Sequence, residues 1–405
     1  MRILAISHLF PHIENTHHGI FAARQFVALK HLGSEIVVLF PTVKIPAPFK
    51  YFRKKWRNQD SNHKPIDSYK LEVVQVPCLR PTKDLWFCRW DGLILYLAAR
   101  KKIMRMHKEN PFDIIYGRGL FPGADTAIRF SKLLEIPAVG AAIGSDVNLV
   151  PNRSRTLYRY TQWVIQNLDG LLANGAGLAD KIKEMTGREC QAAHGVVDLD
   201  VFRPANNIKL VRESLQIPVE SKVLLFAGSL KKEKGIYELL DAFSLVQKKM
   251  SGIILYICGV GVEYDRIVKT ISQLNISDSV RVIGTVEPAN MHKWMQASDI
   301  FVLPSYMEGM PNVVMEAMAC GVPVIATAVG GLPEAVGNSE GVILIKPKNT
   351  EQLINAIEKL AGDRNGYEKM SIAARQTAEK KFGAKANGQK IFEYLGTVVE
   401  QYNGE

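Results

Sequence analysis

Short runs of apolar, mostly β-branched residues recur along the chain, separated by stretches with helical periodicity. Residues 1–7, 36–40, 71–76, 113–116 and 138–141 form a first series. Each run is too short for a helix and lacks strict alternation, so each predicts a strand buried on both faces. Helical patterns such as 19–32 and 123–134 fill the gaps. The alternation restarts at 222–227 and continues through 252–257, 280–283, 300–303 and 322–326. Strands alternating with helices build parallel sheets covered on both sides. Two such series predict an α/β chain of two doubly wound, Rossmann-like domains. Between them, residues 198–207 lack periodicity and include Pro204. We therefore place an N-terminal domain at 1–204, a C-terminal domain at 205–385 and a last helical stretch at 386–405. That last stretch is expected to pack back on the N-terminal domain. Residues 41–70 are polar and basic, include proline, and read as a long loop.

Composition agrees with a folded globular protein: 47% of residues are hydrophobic and 22% charged. No apolar run approaches the roughly 18 residues of a membrane span. Residues 1–7 have a buried-strand pattern rather than that of a secretion signal. A cytoplasmic protein is the expectation. The five cysteines are scattered and form no C-x-x-C pair, which argues against a disulfide framework or a zinc site.

Charge adds something the pattern does not. Residues 1–205 carry 29 Lys and Arg against 18 Asp and Glu, whereas 206–405 carry 22 of each. A basic first half points to nucleic acid, an anionic membrane or an acidic substrate. No nucleic-acid-binding module is present, so nucleic acid is not an expected partner. Residues 44–57 mix Lys44, Lys50, Arg53, Lys54, Lys55 and Arg57 with Phe49, Tyr51, Phe52 and Trp56. Residues 84–108 read as a helix with Trp86, Trp90, Leu93 and Leu97 on one stripe, ending in Arg100, Lys101, Lys102, Arg105 and Lys108. Two readings stand. The surface docks on anionic headgroups at the inner membrane face, each nearby cation adding about 1 kcal/mol. Or the stripe is core and the charges are a solvated face.

Ligands of open α/β sheets bind beyond the carboxyl ends of the strands. The richest such segment follows 300–303. Pro311 suits the first turn of a helix and Gly321 its end, so residues 309–312 would present free backbone N–H groups to an anion such as a diphosphate. Glu308 lies before that helix and Glu316 within it. Two carboxylates beside an anion site can accept hydrogen bonds from sugar hydroxyls. An ordinary strand–loop–helix with a capping Glu has the same spacing.

Glu308 and Glu316 form E-x7-E inside the frame P-S-x-x-E-G-x-x-x-x-x-x-E-A-M-A-x-G-x-P-V-I-A-T-x-x-G-G, from Pro304 to Gly331. This frame resembles the signature of the retaining GT-B glycosyltransferases of family 4, in particular those of bacterial surface polysaccharides. Gly228-Ser229-Leu230-Lys231-Lys232-Glu233-Lys234-Gly235 is similar to the family's G-R-L…E-K-G loop. His194-Gly195-Val196-Val197-Asp198, followed by Phe202 and Pro204, is similar to its hinge. With the Gly19 loop and Gly144-Ser145-Asp146, the resemblance spans nearly the whole chain.

The resemblance implies a GT-B fold with its two domains facing across a cleft, and a hexosyltransferase-type reaction. A sugar moves from a nucleoside diphosphate, a UDP-sugar, to a glycan or polyprenyl-linked acceptor with retention of configuration. No cofactor or metal is expected. Glu308 would bind the transferred sugar beside the backbone of Gly309, Met310, Pro311 and Asn312. Glu316 would bind ribose, Lys234 would neutralise the diphosphate, and the strand end at Ile283 and Gly284 would hold the base. Gly19 would let the N-terminal domain close on the diphosphate. Glu308, Lys234 and Asp146 are the expected catalytic residues, and Arg118, Asp146 and His194 are candidates on the acceptor side, each as readily structural. Two positions depart from the family: Ser229 stands for its usual Arg and Ile143 for its usual His. Lys231 or Lys232 is a candidate replacement for the Arg. Asp198-Leu199-Asp200 spells D-x-D but sits in the hinge, where metal binding is not expected. Gly259-Val260-Gly261 reads as a strand-end turn, His17-His18 completes no metal-ligand spacing, and His8 reads as a loop histidine. The alternatives are a nucleotide-sugar 2-epimerase and a non-catalytic, sugar-nucleotide-binding subunit of a glycan-assembly complex.

Overall fold

The computed structural model describes residues 1–13, 16, 19–44, 64–66, 69–79, 88–193 and 195–404. His17, His18, Trp86, residues 45–57 and His194 lie outside the described residues. The chain divides into two compact units, Met1–Val196 with Asn387–Glu405, and Val197–Ala386.

The first unit is built on a parallel sheet of seven strands: β1 (Arg2–Ser7), β2 (Glu35–Lys44), β3 (Glu72–Leu79), β4 (Ile114–Arg118), β5 (Ala138–Ala142), β6 (Gly170–Ala173) and β7 (Gln191–Ala192). Their order is β3-β2-β1-β4-β5-β6-β7. Successive residues of β1 point to opposite faces, and both faces are apolar. Ile3 and Ala5 join a core with Phe26 and Leu29 of the helix Ile20–His31 and with Ile391, Leu395 and Val398 of the closing helix Gln389–Gly404. Leu4 and Ile6 join the opposite core with Leu95, Ala99 and Ile103 of the helix Cys88–Glu109 and Ile128 and Phe130 of the helix Asp125–Leu134. Each such Leu, Ile, Val or Phe side chain removed from water contributes about 1.5–3 kcal/mol.

The second unit has six parallel strands: β8 (Lys222–Ala227), β9 (Ile253–Cys258), β10 (Val280–Gly284), β11 (Ile300–Leu303), β12 (Val324–Thr327) and β13 (Val342–Ile345). Their order is β10-β9-β8-β11-β12-β13. Beneath this sheet Arg212 is buried and donates to the carbonyls of Ala297, Val219 and Ser221 and to Asp299 at 2.8 Å. Asp299 in turn accepts the N–H of Val223 at the start of β8.

In both sheets the chain runs outward to one edge, then returns to the centre and runs to the other. The reversals fall between β1 and β4 and between β8 and β11. Their carboxyl ends are where open sheets of this kind bind ligands. The short strands β6, β7 and β13 were not anticipated from the sequence; they hold two to four residues each.

The helix Cys88–Glu109 settles the reading of its stripe. Its core residues are Leu95, Ala99 and Ile103, whereas Trp90, Leu97 and Met104 are exposed and Leu93 is half-buried. The stripe through Trp90 and Leu97 is therefore surface. Among the described residues no helix is long and apolar enough to cross a membrane. Cys78, Cys190 and Cys258 are free thiols that burial pushes up to about 12.

Candidate active site

In the second unit, the loops after β8 and β11 are joined at the switch point. Residues Lys232–Lys234 form one short 3-10 turn, closed by Gly235 in the left-handed conformation (φ 67°) before the helix Ile236–Lys249. A Cβ at Gly235 would lie 2.0 Å from the carbonyl oxygen of Pro304, so only glycine permits this approach. The N–H of Tyr306 donates to the carbonyl of Glu233 at 2.8 Å. The result places Lys234 Nζ 2.6 Å from Glu308 Oε1, with both side chains mostly buried. Tyr306 holds the β11 loop from the other side, through a hydrogen bond to Glu238 and the Lys348 ammonium 4.9 Å from its ring centroid.

The loop that carries Glu308 is backed by the loop after β12. Gly331 N–H donates to Gly309 at 2.8 Å, and a Cβ at Gly330 (φ 60°) would lie 2.0 Å from the Glu308 carbonyl. The helix then runs Asn312–Ala319. Pro311 occupies the N-cap rather than the first helical turn, because its ψ of 96° is extended. Of the first-turn N–H groups, that of Val314 donates back to the Pro311 carbonyl at 3.0 Å, whereas those of Asn312 and Val313 are among the groups a helix leaves without internal partners. They give that end partial positive charge. Glu316 is buried in the middle of this helix, and Met310 turns its side chain into the core, leaving only its backbone toward the loop. At the other end, Arg375 donates to the carbonyls of Ala319 (2.6 Å) and Phe202 (2.9 Å), and Ser371 to Gly321 (2.6 Å). No motif reported Arg375 or Ser371, since each acts from a distant element, and Tyr306 stands at an unspecified position of the E-x7-E frame.

Three glycines draw together the ends of β8, β9 and β10. Gly259 N–H donates to Gly284 at 2.7 Å, and its Cβ would lie 1.8 Å from the Gly228 carbonyl. Gly259 and Gly261 thus permit close packing of loop backbones. Ile283 is partly exposed at the end of β10. Ser229 is half-buried beside this junction, whereas Lys231 and Lys232 are exposed.

In the first unit, Gly19 (φ 73°) caps the helix Ile20–His31, and a Cβ there would lie 2.2 Å from the Leu9 backbone. The carboxylate of Asp146 is buried and accepts the N–H groups of Leu120 (2.9 Å), Ile143 (3.1 Å) and Gly144 (2.9 Å). It ties the loop after β4 to the loop after β5. Burial pushes its carboxyl up, and these backbone donors work against that rise. Arg118 ends β4 and donates to Gln25 at 2.6 Å, and Gln25 also accepts the Tyr116 hydroxyl at 3.0 Å. Gln25 is a further polar residue that sequence reasoning missed. Ile143 and His8 converge on Gly119: from a Cβ there, Ile143 Cδ1 would lie at 3.6 Å and His8 Cε1 at 3.4 Å.

Residues 207–377 match the sequence profile of the family Glycosyl transferases group 1. The chain carries a group 1 glycosyl transferase domain. It is a glycosyltransferase. The whole chain is similar to a Bacillus subtilis (strain 168) protein described as a teichuronic acid biosynthesis glycosyltransferase, TuaC, at 27% identity with 99% of each covered. Among solved structures it is similar to sucrose-phosphate synthase from Thermosynechococcus elongatus, with a TM-score of 0.78, 18% identity and coverage of 100% of this chain and 99% of that one. It is also similar to Anabaena HepE in complex with UDP, with a TM-score of 0.74, 19% identity and coverage of 98% and 100%. At these identities the likeness establishes the fold, which is that of the GT-B glycosyltransferases.

Proposed function

We propose that this glycosyltransferase is of the retaining, E-x7-E type. It moves a sugar from a UDP-sugar to a glycan or lipid-linked acceptor in surface polysaccharide assembly. The observation that carries this reading is the pairing of Lys234 with Glu308 at the β8/β11 switch point, beside the N-terminus of the helix Asn312–Ala319. A cation and a helix N-terminus attract a diphosphate, and a neighbouring carboxylate accepts sugar hydroxyls. Lys234 would leave Glu308 for the diphosphate as negative charge builds on the departing nucleotide. Glu316 would bind the ribose, and Ile283 and Gly284 the base. The leaving phosphate would take the acceptor proton on the face where the new bond forms, without a metal ion. The name of the Bacillus relative supports the setting, and the UDP in the HepE structure supports the base.

In the first unit we assign Asp146 a positioning role, because its oxygens are held by backbone donors, and Arg118 an acceptor-side role. We also read the exposed face of the helix Cys88–Glu109 as a peripheral contact with anionic lipid. Leu97 and Met104 would enter the interface, flanked by Arg100, Lys101, Lys102, Arg105 and Lys108. Lys101→Glu with Lys102→Glu should then lower sedimentation with phosphatidylglycerol vesicles, and unchanged sedimentation would refute this contact.

The test of the main reading is a panel of UDP-, GDP- and ADP-sugars, with and without membrane lipid extract, scored by released nucleoside diphosphate. Release from one UDP-sugar, raised by extract and unchanged by EDTA, with an α-donor giving an α-product by NMR, is the expected result. Epimerised sugar nucleotide without acceptor, or an inverted product, would refute it.

A further inference from the structure

The first unit holds a groove of about 440 Å3 between the helices Cys88–Glu109 and Arg155–Gln166, lined chiefly by Arg89, Trp90, Arg129, Arg159, Tyr160 and Trp163. Its volume falls within the roughly 300–1,000 Å3 of small-ligand sites. Helices in a doubly wound unit run opposite to the strands, so their first turns lie at the carboxyl edge of the sheet. Arg89 and Trp90 open one helix, and Arg159 and Tyr160 stand early in the other. The groove therefore begins near the carboxyl edge of the sheet, the edge that also carries Arg118 and the Asp146-bound loops, and runs down the helices to Trp163.

Its wall is a fixed aromatic platform. Tyr160 stacks on Trp163 with centroids 5.6 Å apart and planes 5° from parallel, and Phe121 backs Tyr160 at 5.6 Å. The Tyr160 hydroxyl donates to the Arg89 carbonyl at 3.0 Å, which joins the two helices. Trp90 and Trp163 nevertheless remain 46% and 38% exposed. Its charge is unbalanced. Arg129 is matched by the buried carboxylate of Asp125 at 3.1 Å. Among the described residues, Arg89 and Arg159 have no carboxylate partner; Arg89 lies over the Trp90 ring, 5.0 Å from its centroid.

Flat rings cover the C–H face of a pyranose, and a guanidinium fork matches a carboxylate in two parallel hydrogen bonds. Both features lie inside one concavity, whereas contact with a bilayer calls for a convex apolar face. We propose that this groove binds a carboxylate-bearing sugar unit, a uronic acid, of the acceptor glycan. The ring would lie on Tyr160 and Trp163, and its carboxylate on Arg89 and Arg159. This assignment rests on the proposed transfer to a glycan acceptor and adds the chemical class of that acceptor.

Calorimetry on the full-length protein tests it, with hyaluronan and galacturonan tetrasaccharides as acidic probes and chitotetraose as the neutral one. At least one acidic probe should bind about tenfold or more tighter than chitotetraose, the scale of one charge-assisted hydrogen bond. Arg89→Gln with Arg159→Gln should remove that preference. Both positions are on the surface, so the thermal unfolding midpoint should hold. Donor discharge without acceptor should also hold, so a failure here is separable from failure of the transferase reading. Equal affinity for acidic and neutral probes, no acidic binding at millimolar concentration, or a preference unchanged in the double variant would overturn the proposal. So would a double variant that loses phosphatidylglycerol vesicle binding but keeps saccharide binding, which would make the groove part of the lipid face.

Discussion

Single residues at the strand ends divide into those that offer chemistry and those that hold it in place. Gly235 belongs to the second kind. A methyl group there would enter the Pro304 carbonyl and strain a left-handed backbone, so Gly235→Ala should separate Lys234 from Glu308. The expected outcome is a loss of about 1–3 kcal/mol in stability and a larger proportional fall in donor turnover, compared by thermal melts and nucleotide release. Asp146→Ala would leave the buried N–H groups of Leu120, Ile143 and Gly144 without their acceptor. Each such group costs about 1–3 kcal/mol, so this variant should melt well below the parent. Asp146→Asn should recover only part of the loss, because its amide turns a donor toward donors. Full stability in Asp146→Ala would remove its positioning role.

Elements show why some of the site could be read from the sequence and some could not. The apolar run 300–303 matches its strand residue for residue, and 223–227 matches its strand except for the leading Lys222, because burial on both faces leaves no polar position within the run. β7 and β13 sit at sheet edges, where two to four residues give too little pattern. Glu308 and Lys234 were visible as members of separate motifs. Their contact was not, since 74 positions separate them and only the strand order brings β8 beside β11. Arg212 and Arg375 were silent for the same reason: each satisfies carbonyls of distant elements. Arg212→Ala would take from half-buried Asp299 its nearer cation, leaving Lys222 at 3.8 Å, and would strip the carbonyls of Ala297, Val219 and Ser221 of a donor, at about 1–3 kcal/mol for each buried group left unpaired. Denaturant unfolding should show that loss with the slope against denaturant unchanged. The loop after β11 also depends on Gly330 in the loop after β12, so Gly330→Ala should impair donor turnover without any change to the motif itself.

At the scale of the molecule, the same strand order occurs twice with different surfaces. The second unit gathers Lys234, Glu308, Glu316 and a helix N-terminus at its switch point, an arrangement that suits the anionic donor proposed above. The first unit carries most of the net positive charge of the chain, an exposed basic helix and an arginine–aromatic groove, features that suit the anionic acceptor proposed above. Charge asymmetry was legible in composition, but the groove was not, because it joins helices whose linking contact spans 71 positions and whose exposed rings resemble core residues in sequence. The proposed transfer depends on the Lys234–Glu308 pair to handle the donor. The direct measurement is steady-state nucleotide release from the preferred sugar nucleotide by the parent, Lys234→Ala and Glu308→Ala, with melts to verify folding. Loss of one oriented charge-stabilising group costs about 10²–10³ in kcat. Both variants should show a loss of that order, with nucleotide still bound by Glu308→Ala and bound more weakly by Lys234→Ala. Folded variants that turn over the donor at the parent's rate would contradict it.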